Sequence, residues 1–121
     1  MNKQKNAVFI IAEAGSNWKC GSYEEDIECA KKLIDVASKS GCDAVKFQTF
    51  RPELLYVKNA GSSDYLSEQG MSSEINEIFQ NLTMPYEMIP ELASYCSKKN
   101  IKFMSTSFSV QDAKKVDPFV Q

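Results

Sequence analysis

The chain has no histidine. That excludes a Ser-His-Asp or Cys-His nucleophile within it and removes the commonest metal ligand. A metal site built here would have to rest on carboxylates, and no tight acidic cluster offers one. No metal ligand is therefore expected in this chain. Long apolar runs are also missing, and nothing approaches the roughly 20 residues that span a bilayer. The run Ala7-Val8-Phe9-Ile10-Ile11 is too short for a signal h-region and soon meets Glu13. A cytoplasmic protein with no membrane partner is the expectation. Charge of one sign is lacking too. The net charge is -2, so nothing electrostatic favours nucleic acid. The 4 cysteines, Cys20, Cys29, Cys42 and Cys96, show no C-x-x-C spacing, and in a cytosolic chain they are expected to be reduced and structural. Glycine and proline are few, at 5 and 4 residues, so where they fall they punctuate the chain.

Between those punctuation marks the chain alternates strand and helix patterns. Val8 to Ala12 is a continuous apolar run, which suits a parallel strand covered on both faces. Glu13 stands where that strand gives way to Ala14-Gly15-Ser16-Asn17-Trp18-Lys19-Cys20-Gly21-Ser22, a loop in which Asn17 can cap a turn and Trp18 can pack. Ser22 with Glu25 three residues on forms a capping box, and a helix from Tyr23 to Ser40 follows. Ile27, Ala30, Leu33, Ile34 and Ala37 make its apolar stripe, and Gly41 supplies its stop. Asp43 to Phe50 reads as the second strand. Period-2 geometry puts Lys46 and Gln48 on one face, and Val45 and Phe47 on the other.

The stretch Arg51 to Ser73 has little periodicity and is long for a connection, so it reads as a functional or mobile loop that Tyr56 and Tyr65 could help order. A short helix over Glu74 to Leu82 comes next. A longer one starts at Thr83, with Pro90 allowing a break or a later start, and runs to about Lys99. Ile101 to Thr106 is the third strand. Ser105, Thr106, Ser107 and Ser109 then form a hydroxyl cluster that can hold phosphate oxygens, while Ser109 with Asp112 can cap a last helix beginning at Val110. The order is β-α-β-loop-α-β-α, with Glu13, Lys46, Gln48 and Thr106 all near the C-terminal ends of strands. In parallel α/β sheets those ends share one face, where ligands bind. A lysine on a core strand is costly to bury without an anionic partner, so Lys46 is the first candidate for meeting a carboxylate or phosphate, snorkelling to solvent being the alternative.

Three stretches carry a resemblance to a known family. Ile11-Ala12-Glu13-Ala14-Gly15-Ser16-Asn17-Trp18, Asp43-Ala44-Val45-Lys46-Phe47-Gln48-Thr49 and Phe103-Met104-Ser105-Thr106-Ser107-Phe108-Ser109 together resemble the sialic acid (nonulosonic acid) synthase family. The resemblance implies an α/β TIM (β/α)8 barrel, with residues 1–121 forming an N-terminal fragment of about three repeats. The remaining barrel and an antifreeze-like domain would be absent. It implies a transferase that condenses phosphoenolpyruvate with an N-acylmannosamine-like or related amino sugar to give a sialic-acid-type 2-keto acid and phosphate. Lys46 and Thr106 match residues that bind phosphoenolpyruvate. Glu13 matches a catalytic glutamate at the sugar aldehyde, Gln48 a residue on the sugar side, and Asn17 the asparagine of the first motif. The complete enzyme would use a divalent metal, manganese or magnesium, on ligands outside this chain, and would work as a homodimer. Trp18 stands where many members carry histidine, and Ser107 where most carry proline. Two alternatives stay open: a truncated, non-catalytic binding fragment that is inactive alone, or another phosphoenolpyruvate-condensing aldolase on the same barrel.

Overall fold

The computed structural model of the protein describes residues 7–55 and 75–120. The elements in chain order are β1 (Ile11–Gly15), α1 (Tyr23–Lys39), β2 (Ala44–Thr49), a 3-10 turn (Pro52–Leu54), α2 (Ile75–Asn81), α3 (Met88–Lys98), β3 (Lys102–Ser107), α4 (Val110–Val116) and a final 3-10 turn (Asp117–Phe119). The strands form a parallel sheet in the order β1-β2-β3. Parallel neighbours need a crossover, and the helices of the intervening segments supply it, as a strand-helix alternation requires. The expected ordering role of Tyr56 and Tyr65 lies outside the described residues, as does most of 51–73.

The capping box at Ser22 is present in both directions: Ser22 Oγ accepts from the Glu25 N–H, and Glu25 accepts from the Ser22 N–H. α1 then buries Ile27, Ala30, Ile34 and Ala37, with Leu33 partly buried beside them. Gly41 leaves the helix at a φ of 80°, a conformation that costs a residue with a Cβ and costs glycine nothing. α3 contributes Met88, Ile89, Leu92 and Cys96 to the same core. Val45, Phe47 and Phe103 face these helices from the sheet, with the Phe47 and Phe103 rings stacked at 6.0 Å. One sheet face is therefore packed. The other, carrying Glu13, Lys46 and Gln48, is only partly covered.

Three expectations change. β1 begins at Ile11 and not at Val8; Val8, Phe9 and Ile10 are 80%, 51% and 53% exposed. The reason is register. β2 starts opposite Ile11, and just before it the chain turns through Asp43, whose carboxylate accepts from the Ile10 N–H at 2.7 Å. The apolar run overshoots the sheet, and Glu13 consequently lies within the strand. α3 starts at Met88 and not at Thr83, because Pro85 and Tyr86 make turns that accept from the N–H groups of Met88 and Ile89. Pro90 then sits in the first turn, where its missing N–H has no intrahelical partner to lose. The third change concerns the cysteines. Cys20 and Cys29 are joined in a disulfide, while Cys42 and Cys96 are free thiols. The loop between β1 and α1 folds back over the first turns of the helix, which brings two distant-looking cysteines together.

Candidate functional site

Parallel register places the site residues in rows. Glu13 lies opposite Lys46, and Lys46 opposite Met104; one step further along, Gln48 lies opposite Thr106. Period-2 geometry then puts Glu13, Lys46, Gln48 and Thr106 on one face. Gln48 and Thr106 lie near the C-terminal ends of their strands, whereas Glu13 and Lys46 sit at mid-strand and not at the tips expected. The Lys46 ammonium meets Glu13 Oε2 at 3.1 Å, with the two side chains 32% and 51% exposed. A pair so open to solvent contributes about 0–1 kcal/mol to stability. Stability is therefore a weak reason for a lysine and a glutamate at this place.

After Glu13 the β1–β2 register shifts, so that Gly15 and not Ala14 faces Phe47, and Gly15 takes a φ of 55°. The bulge swings the following loop across the end of the sheet. Ser16 thereby reaches β2, where its hydroxyl lies 3.3 Å from Gln48 Oε1. Asn17 is exposed, anchored by its N–H on the Ala14 carbonyl at 3.0 Å. Trp18 packs into the core at 1% exposure.

The rest of that loop hangs on Asp26, which is 3% exposed. Its carboxylate accepts from the Lys19 ammonium at 2.7 Å, the Cys20 N–H at 2.8 Å and the Gly21 N–H at 2.9 Å. Burial pushes the Asp26 pKa up, but the Cys20 N–H, the Lys19 ammonium and the Gly21 N–H outweigh it and hold the carboxyl below its ordinary value.

The hydroxyl cluster, which begins within β3 and not after it, divides. Ser105 turns to the packed side and shares a 2.7 Å hydrogen bond with the buried Thr49 hydroxyl. Ser109 is used up as an N-cap: its hydroxyl accepts from the Asp112 N–H at 3.0 Å and donates to Asp112 Oδ2 at 2.7 Å. The Tyr86 hydroxyl donates to Asp112 Oδ1 at 2.8 Å, which completes the pairing of a fully buried carboxylate. Of the expected cluster, Thr106 is the hydroxyl left on the face of Lys46.

Sequence reasoning passed over the roles of Ser16, Thr49 and Asp26. Asp112 was legible from its three-residue spacing to Ser109, and the cap it forms there is present. The other contacts join residues that spacing does not relate. Among the described residues no group of three or more His, Cys, Asp or Glu side chains could hold a metal ion, and the chain has no histidine. The residues here do not fit a metal cage. A hollow of about 650 Å³ opens at the opposite end of the sheet, among Cys42, Asp43, Asn100 and Phe119, away from Lys46 and Glu13. Among the described residues, the face carrying Lys46 and Glu13 is partly open to solvent.

A parallel α/β layer with such a row at its strand ends belongs, as a class, with α/β proteins that take ligands at the C-terminal face of the sheet. Comparison with known proteins narrows this. The chain belongs to the NeuB family, whose profile matches residues 33–120. It is 40% identical over 99 residues to the spore coat polysaccharide biosynthesis protein SpsE of Bacillus subtilis, a match covering 82% of this chain and 25% of that protein. It is 36% identical over 104 residues to the N,N'-diacetyllegionaminic acid synthase of Legionella pneumophila, covering 85% of this chain and 28% of the relative. The crystal structure of the N-acetylneuraminic acid (sialic acid) synthetase of Leptospira borgpetersenii superposes with a TM-score of 0.69 at 26% identity, over 94% of this chain and 34% of that one. The chain thus spans about a quarter to a third of the length of these relatives.

Proposed function

We propose that this chain is the phosphoenolpyruvate-side wall of a nonulosonic acid synthase built on a TIM barrel, in which phosphoenolpyruvate condenses with an N-acylated amino sugar. The observation that carries the reading is the Glu13–Lys46 pair at 3.1 Å, flanked in register by Gln48 and Thr106 at the C-terminal ends of parallel strands. Phosphoenolpyruvate is strongly anionic. Its carboxylate or phosphate would compete with Glu13 for the Lys46 ammonium, and the Thr106 hydroxyl would add a neutral donor.

In the proposed reaction, C3 of phosphoenolpyruvate forms a bond to the aldehyde carbon of the open-chain sugar, whose oxygen takes up a proton. Water adds to the cation-like C2 and loses a proton. The C2 hydroxyl then gives up its proton to the departing phosphate as the C2–O bond to phosphate breaks, leaving a 2-keto acid and inorganic phosphate. Glu13, released from Lys46, would lie beside the aldehyde, where a carboxylate can stabilise positive charge and move a proton. Gln48 would face the sugar, and Asn17 would border the same face from the loop. No step here is routed through a metal. A manganese or magnesium ion in the complete enzyme would need ligands from other parts of the polypeptide. The complete enzyme as a homodimer, a cytoplasmic location, residues 1–121 as one partial barrel domain, and inactivity of this chain alone belong to the same proposal. No helix among the described residues is long and apolar enough to cross a membrane.

Titration of the chain with phosphoenolpyruvate tests the reading. Lys46→Ala is expected to weaken binding about ten-fold or more, the loss of a charge-assisted contact. Unchanged affinity in a folded variant removes Lys46 from the site. In the complete enzyme, Glu13→Gln is expected to lower turnover about 10²-fold or more with little change in substrate affinity, and normal turnover removes Glu13 from the chemistry.

A further inference from the structure

Tyr86 joins segments that the sequence keeps apart. Its hydroxyl donates to Asp112 Oδ1 at 2.8 Å, across 26 residues. Its ring carries the Arg51 guanidinium at 3.7 Å and the Lys115 ammonium at 5.4 Å. Arg51 lies just past the end of β2 and donates to the Met84 carbonyl at 3.1 Å, close before Tyr86 in the chain. Asp112 in turn accepts from the Ser109 hydroxyl at 2.7 Å, and Ser109 ends the turn that follows β3. That turn returns to β2 through the Phe108 N–H, which donates to the Thr49 carbonyl at 3.2 Å. The contacts close a circuit around the C-terminal ends of β2 and β3, where Gln48 lies opposite Thr106.

Helix capping alone does not account for the Asp112 side chain. The cap uses the Asp112 N–H, which almost any residue there would supply. The carboxylate is a further commitment. It is fully buried, and burying a carboxylate is costly unless its oxygens are paired. Apolar packing of similar volume is often as stable as a buried charged group, so stability is a weak reason for it. Burial and the hydrogen bond to Asp112 push the Tyr86 pKa above its ordinary value, which keeps the phenol a donor at neutral pH. We infer that Tyr86 is a positioning residue: seated under Arg51 and acting through Asp112 and Ser109, it fixes the turn after β3 and with it the place of the Thr106 hydroxyl beside Lys46.

The inference rests on the proposed synthase reading, which sets Thr106 against phosphoenolpyruvate. A double-mutant cycle on the chain separates positioning from folding alone. Tyr86→Phe removes the hydroxyl and keeps the ring under Arg51. Phosphoenolpyruvate affinity is measured by titration for the unsubstituted chain, Tyr86→Phe, Thr106→Val and the double variant. Tyr86→Phe is expected to weaken binding about three- to ten-fold, the range of one neutral hydrogen bond, and to change it less than about two-fold in the Thr106→Val background. Ser109→Ala breaks the same circuit and replaces Tyr86→Phe in the cycle if that variant does not fold. Ser109→Thr keeps the hydroxyl and should hold the original affinity. Ser22→Ala, which destabilises the chain at the α1 cap, should leave affinity within about two-fold. Equal loss in both Thr106 backgrounds, an equal loss in Ser22→Ala, or no loss at all overturns the positioning role and leaves the synthase reading standing. So does a Thr106→Val chain that binds as tightly as the unsubstituted one. No response to phosphoenolpyruvate in the unsubstituted chain overturns the synthase reading, and this inference with it.

Discussion

Asp26 shows how a side chain outside the row of site residues governs the loop that borders it. Its carboxylate, buried at the first turn of α1, takes three hydrogen bonds from consecutive residues of the β1–α1 loop. The folded pKa lies below the ordinary value of 3.8. A group depressed in this way adds stability that is fully present above its unfolded pKa and is lost as pH falls through the lower folded value. Asp26→Asn is therefore expected to cost about 1–3 kcal/mol at neutral pH, with the gap to the unsubstituted chain narrowing as pH drops below about 4. Urea denaturation across that range checks it, and a gap that stays constant with pH contradicts it. Burial acts alone at Cys96, pushing its thiol up to about 12. That thiol should resist alkylation in the folded chain at neutral pH, whereas the half-buried Cys42 should react first. Lys46 and Gln48 were legible in sequence because a two-residue period assigns them a face with no knowledge of partners. Ser16 and Asp26 were not, because their meaning lies in contacts to Gln48 and to loop N–H groups that no spacing encodes.

Among the elements, those with strong local chemistry stand where the sequence puts them. Ser22 and Glu25 cap α1, Gly41 ends it, and Ser109 caps α4. Ser22→Ala should cost about 1 kcal/mol, read as a lower midpoint in thermal or urea unfolding. Where local signals compete, tertiary contacts decide. The apolar run at Val8 reads as strand, but the paired register with β2 starts only at Ile11, after a last contact from the Ala44 N–H to the Ile10 carbonyl. The Cys20–Cys29 bridge has the same character. A spacing of 9 residues implies nothing in itself, and the folded-back loop makes the pair. Thiol titration of the denatured, unreduced chain should find the thiols of Cys42 and Cys96 alone, with the other two appearing after reduction by a dithiol. Four thiols without reductant contradict the bridge.

At the scale of the whole molecule, one sheet face is packed by α1 and α3, and the other is a wall with polar residues toward one end. The strand-helix alternation made the parallel sheet legible, and with it the end of the sheet where ligands gather. A closed barrel was expected only through resemblance, since three parallel strands fit an open sheet or a closed one equally well. The central claim is that Glu13, Lys46, Gln48 and Thr106 form one substrate-binding surface, on which Lys46 and Thr106 receive the anion. The measurement that tests it most directly is a residue-resolved magnetic resonance titration of the chain with phosphoenolpyruvate. The account predicts shifts clustered at these four residues and at Ser16, abolished by Lys46→Ala. Shifts centred on Cys42, Asp43 and Asn100 at the other end of the sheet, or a response that survives Lys46→Ala unchanged, would contradict it.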